Sequence, residues 1–140
     1  MVNKRLPITG GCLCGAIRWE CTEPPDSGGC CHCSMCQKGF GGLFGAWLNM
    51  PASAFRFIKG SPKFYKSSKS VKRGFCSACG SPLIFLDEGD PRPGINVGSL
   101  DHPDDWPLTE KGYWGHSHIG NKVSWEIIAD DMPQHQGHAF

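Results

Sequence analysis

The sequence predicts a mainly β domain stapled by metal–cysteine knuckles, on the strength of three observations. Short alternations of apolar and polar residues recur between glycines and prolines, the period-two pattern of half-buried strands. No window of ten residues or more carries a helical apolar face. Seven of the nine cysteines fall into three tight clusters, Cys12-x-Cys14, Cys31-x-Cys33-x-x-Cys36 and Cys76-x-x-Cys79. At that spacing one turn of backbone can present two sulfurs to one ion, and thiolate is a soft, strong zinc ligand.

Taken in order, Cys12 and Cys14 precede the first expected strand, 16–20, whose residues Ala-Ile-Arg-Trp-Glu alternate cleanly. Residues 34–40 predict a helical turn after the second cluster, and 104–106 another. Further strands are expected at 43–50, 54–58, 63–66, 82–86, 94–97 and 122–128. The strands are expected to pair antiparallel, with the cysteine clusters in the connecting turns. No repeat is visible beyond the knuckles. The domain is expected to span 1–131, and the last residues, 132–140 (MPQHQGHAF), lack periodicity and read as a tail.

Composition narrows the function classes. A length of 140 residues suits one domain, and 19 glycines with 11 prolines make it rich in turns. A formal net charge of +1 gives no reason to expect nucleic acid or an anionic membrane as a bulk partner. The opening MVNKRLPITGG has no apolar run behind its basic residues, so it does not read as a secretory signal, and no stretch is long enough to span a membrane. A reducing, cytoplasmic setting is the expectation. There clustered cysteines read as metal ligands, and an odd count of nine cannot all pair as disulfides.

Clusters of two, three and two allow one closed four-thiolate site only by joining the outer pairs. Cys12, Cys14, Cys76 and Cys79 are therefore expected to form a structural zinc site. Glycine follows both outer clusters, at Gly15 and Gly80, where a knuckle needs positive φ; the middle cluster continues instead as Gln37-Lys38. Cys31, Cys33 and Cys36 remain. Three protein ligands with an open position is the build of a catalytic zinc site. Three thiolates make such a zinc a soft Lewis acid, suited to bind an incoming thiol and lower its pKa. Four residues are candidates to close the site instead: Cys30, His32, His116 and His118. His32 is either a supporting group or an exposed one. Lys38 is either a surface lysine or a charge that offsets the cluster or holds a carboxylate of a substrate. His116 and His118, two apart on a possible strand, are expected on one face. Cys21 and Cys30 read as spare or buried thiols.

In this order and with these flanks, the clusters resemble the glutathione-dependent formaldehyde-activating enzyme family, which includes centromere protein V. The resemblance runs from Gly11-Cys12-Leu13-Cys14-Gly15-Ala16-Ile17 through Cys31-His32-Cys33-Ser34-Met35-Cys36-Gln37-Lys38. It resumes at Phe75-Cys76-Ser77-Ala78-Cys79-Gly80-Ser81-Pro82-Leu83, then takes in Val97-Gly98-Ser99-Leu100-Asp101, His118 and Trp125. It implies a β-tent of packed antiparallel sheets. It also implies two zinc ions per chain, the structural one on the outer clusters and the catalytic one on the middle. The activity it implies is a carbon–sulfur lyase or synthase joining glutathione and formaldehyde. Gln37 departs from the pattern, where the family often carries Arg before Lys; a lost guanidinium alters how an anionic substrate is held. Two other function classes fit the same residues: a zinc-stabilised protein-binding module with both metals structural, and a zinc-assisted hydrolase.

Overall fold

Trp19 and Leu48 are both fully buried, come from different sheets, and meet in one core. A computed structural model describes residues 4–139. The elements run β1 (Ile8–Gly11), β2 (Arg18–Cys21), β3 (Ser27–Cys31), α1 (Ser34–Phe40), β4 (Gly45–Asn49), β5 (Phe55–Lys59), β6 (Lys63–Lys66), β7 (Val71–Phe75), β8 (Pro82–Asp87), β9 (Asp90–Asn96) and β10 (Gly115–Ser117). They form a three-stranded sheet, β1-β2-β5, and a seven-stranded sheet ordered β10-β3-β4-β9-β8-β7-β6. The mainly β class and its two sheets agree with expectation. Among the described residues no helix is long and apolar enough to cross a membrane.

The core lies between the sheets. Ile8, Trp19 and Cys21 from the small sheet face Leu48, Ile84 and Ile95 from the large one. The Trp19 indole N–H finds Ser99 Oγ at 3.2 Å, so the buried ring leaves no polar atom unpaired. A smaller cluster gathers Cys31, Cys36, Trp47 and Trp114, with Phe40 edge-on to Trp47 at 4.8 Å. This second cluster carries the middle cysteines.

Most expected strands are present with shifted ends, and Lys63–Lys66 and the helix Ser34–Phe40 fall where expected. Four differences bear on the site. First, β1 precedes Cys12, so the first knuckle joins two paired strands rather than preceding the sheet. Second, one pair is parallel: β10 runs alongside β3, with His116 opposite Cys30 and Ser117 opposite Cys31. Strand β3, Ser-Gly-Gly-Cys-Cys, has no apolar alternation, yet its glycines are what the packing requires. A Cβ at Gly29 would sit 2.3 Å from Gly115 O and 2.6 Å from the Trp114 ring. Third, 122–128 forms no strand. Lys122 Nζ donates to Val123 O at 3.0 Å and to Glu126 O, so the chain curls around its ammonium group, leaving Trp125 and Ile127 exposed. Fourth, the C-terminal segment is tied to β10. His116 N–H donates to Pro133 O at 2.9 Å, His135 N–H to His116 O at 2.8 Å, and His118 N–H to Gly137 O at 3.0 Å.

Candidate metal centres

Two turns of the same design build the outer group. Cys12 and Cys14 lie between β1 and β2, and Cys76 and Cys79 between β7 and β8. Each turn is closed by a left-handed glycine, Gly15 at φ 79° and Gly80 at φ 80°. Gly15 N–H donates to Cys12 O at 3.2 Å and Gly80 N–H to Cys76 O at 2.7 Å. Cys12 N–H reaches Ile17 O at 3.1 Å, and Cys76 N–H reaches Ser81 O at 3.0 Å. The four sulfurs lie within 4.8 Å of one another. Ile17 N–H points at Cys12 Sγ at 3.2 Å, the kind of backbone donor that supports a metal-bound thiolate. Hydrogen bonds from Ser81 pull the Cys79 thiol down to about 5. Four thiols that the protein alone brings together make a closed, soft donor set, the kind zinc takes in a structural site.

The middle group is built by a strand end and a helix start. Cys31 closes β3, Cys33 caps α1 by accepting the Cys36 N–H at 3.3 Å, and Cys36 sits in the first turn of that helix. Their three sulfurs also lie within 4.8 Å of one another. Cys31 and Cys36 are buried and Cys33 half-buried. Hydrogen bonds from Cys31 and Cys36 pull the Cys33 thiol far down, while bonds with Cys33 and Cys36, and then burial, hold Cys31 far above its ordinary range. Crowded thiols cannot all ionise by themselves. A cation is what lets three thiolates share the space, so the residues fit a metal.

None of the four candidate closing ligands joins this group among the described residues. Cys30 points to the other side of β3, and burial pushes its thiol up to about 12. His32 is fully buried, with Nε2 2.9 Å from His116 Nδ1. Burial first, and then the neighbouring His116, hold His32 below the ordinary histidine range. His116 Nε2 meets the Asp130 carboxylate at 3.0 and 3.1 Å. His116 and His118 do not share a face, because β10 ends at Ser117 and His118 turns left-handed at φ 54°. The first ring goes inward and the second to a cavity of about 130 Å³ over the three sulfurs.

That cavity is lined by Cys31, Cys33 and Cys36 together with Met35, Ser67, Ser68, Val71, Arg73, Phe85, Asp87, His118 and His138. Lys38, on the last turn of α1, is exposed and does not line it. The cation at the sulfurs is Arg73 on β7, with Nη1 and Nη2 3.6 and 3.7 Å from Cys36 Sγ. Its Nε donates to Ser67 Oγ at 3.1 Å and its guanidinium lies over Phe85, 5.2 Å from the ring centre. Arg73, Asp87 and His138 escape a reading of the sequence because each comes to the cavity only across the fold. The one local hint is that Arg73 shares a strand with the approach to Cys76. A larger cavity of about 430 Å³ along β6–β8 holds no thiol or histidine.

Comparison with known proteins bears on the same residues. A family model described as glutathione-dependent formaldehyde-activating enzyme matches residues 7–116, which include all seven clustered cysteines. Among solved structures, a Rhodobacter sphaeroides protein superposes with a TM-score of 0.56 at 23% identity, covering 78% of this chain and 99% of its own. At that identity the likeness concerns the fold.

Proposed function

The chain belongs to the glutathione-dependent formaldehyde-activating enzyme family, and from that premise we propose that it joins or cleaves a carbon–sulfur bond between a thiol of the glutathione kind and a small carbonyl such as formaldehyde. The observation that carries this reading is the three-sulfur group of Cys31, Cys33 and Cys36 facing a cavity with no fourth protein ligand among the described residues. Cys12, Cys14, Cys76 and Cys79 hold a structural zinc in this reading, and the middle three hold a catalytic one.

Zinc, when bound by the middle three, supplies an open coordination position and a positive charge that favours the thiolate form of a thiol substrate. The protein's own groups do the rest. Arg73 offsets the surplus negative charge of three thiolates and, stacked on Phe85, keeps a fixed position at the cavity wall. In the synthetic direction the substrate sulfur bonds to the carbonyl carbon, the carbon–oxygen π bond breaks, and the thiol proton ends on that oxygen. Asp87, His118 and His138 are the acid–base side chains that line the cavity, placed to take that proton from sulfur and pass it to oxygen. His32 and Lys38 are assigned outside this chemistry: the first supports the ligand loop, and the second is available only to a substrate that extends beyond the cavity.

Exchange spectroscopy of zinc-loaded protein with glutathione and formaldehyde tests the proposal. The rate at which the hydroxymethyl adduct forms and breaks should rise well above the uncatalysed rate. Arg73→Met should lower that acceleration about tenfold to a hundredfold, with Arg73→Lys between it and the native protein. No acceleration with glutathione or with smaller thiols would sink the reading.

A further inference from the structure

The middle ligand loop lacks what holds the outer ones. No left-handed glycine stands between its ligands; the chain enters α1 at Ser34, so Cys36 lies in the first turn of the helix. Its support comes instead from Gln37 and His116 and, beyond the residues that the family model matches, from Ser117, Asn121 and Asp130. His32, between two of the ligands, is gripped at three points. Its backbone N–H donates to Ser117 O at 3.0 Å. Its carbonyl accepts from Gln37 Nε2 at 2.9 Å, and the same carboxamide donates to Asn121 O at 3.0 Å. Its ring meets His116 at 2.9 Å, and His116 meets Asp130.

The order of donors follows from the last partner. An ionised carboxylate only accepts, so His116 Nε2 carries the hydrogen towards Asp130 while Nδ1 faces His32 Nε2. His32 Nδ1 is buried without a partner, so no other hydrogen bond holds that ring. We infer that Asp130, acting through His116, is a positioning residue for the middle metal site: it orients His32 and thereby sets the spacing of the Cys31 and Cys33 sulfurs. The inference rests on the reading that those sulfurs hold a metal. Partners behind a metal's ligands are typically worth ten- to a hundredfold in metal affinity. Gln37 belongs to the same clamp, since its carboxamide ties His32 O to Asn121 O.

Metal competition with a chromophoric chelator, resolving two equivalents of zinc, tests it on the full chain. Asp130→Ala should weaken the looser equivalent by tenfold or more and leave the tighter one and the melting temperature in place. Asp130→Asn should restore most of that affinity, because its carboxamide oxygen still accepts from His116. Cobalt substituted at the looser site should show its visible bands altered in Asp130→Ala and restored in Asp130→Asn. Two equivalents in the native protein with Asp130→Ala unchanged would sink the positioning role alone. So would both equivalents weakening together, or an Asn variant as weak as the Ala variant. A native protein that takes up one equivalent would sink the metal reading, and the positioning role with it.

Discussion

Replacing Cys79 with serine should yield a chain that no longer folds cooperatively at 25 °C. The cause is the length of the loop that the outer group closes. Cys14 and Cys76 stand 62 positions apart with sulfurs at 3.8 Å, and a cross-link over that span restrains the unfolded chain by about 4 kcal/mol in the loop-closure picture. A structural zinc contributes more, about 10–16 kcal/mol of binding free energy in small zinc domains, against a typical net stability of about 5–15 kcal/mol. Serine offers a hydroxyl in place of a thiolate and leaves three soft ligands where four are needed. Circular dichroism and thermal melting read the outcome. A folded Cys79→Ser protein with a native melting temperature would mean that the outer group is not a staple.

Cys33→Ser should do the reverse: fold, and lose turnover. Cys33 caps α1 through its sulfur, and serine is itself a favoured cap, so helix stability should change by less than about 1 kcal/mol. The middle group sits in the small Trp47–Trp114 cluster rather than in the main core. Turnover should fall by about a hundredfold to a thousandfold, since two remaining thiolates no longer define the site, the scale on which loss of a main transition-state stabiliser commonly acts. Exchange rate and melting curve, taken on one sample, separate the two effects. Unfolding as severe as that of Cys79→Ser would erase the division of labour between the clusters.

The grouping of the cysteines into four and three was legible in the sequence because it rests on local features. Cluster size, spacing and the glycine after each outer pair are properties of a few adjacent residues, and Gly15 and Gly80 take the positive φ that a knuckle requires. The helix 34–40 is equally local, started by the Cys33 cap. What was hidden is non-local. Strand β3 carries two glycines that only long-range packing explains: a Cβ at Gly29 would meet Gly115 O and the Trp114 ring, and one at Gly28 the Leu48 side chain and Trp47 O. The alternation over 122–128 looks like a strand, but its Lys122 turns inward on its own carbonyls and no strand lies beside it. Arg73 reaches Cys36 from 37 positions away and Asp130 reaches His116 across 14, and neither residue type nor spacing announces such a meeting. The last residues read as a tail because hydrogen bonds to β10 leave no mark on periodicity.

The proposed function requires the two sites to differ. X-ray absorption at the zinc edge on the native protein, beside Cys33→Ser and a sample soaked with a small thiol, measures that difference directly. The prediction is two zinc ions per chain averaging three and a half sulfurs, four at one site and three plus a light atom at the other. Thiol addition should raise the average to four. Two zinc ions with four protein ligands each and no response to thiol would contradict the account and leave a zinc-stabilised binding module in its place.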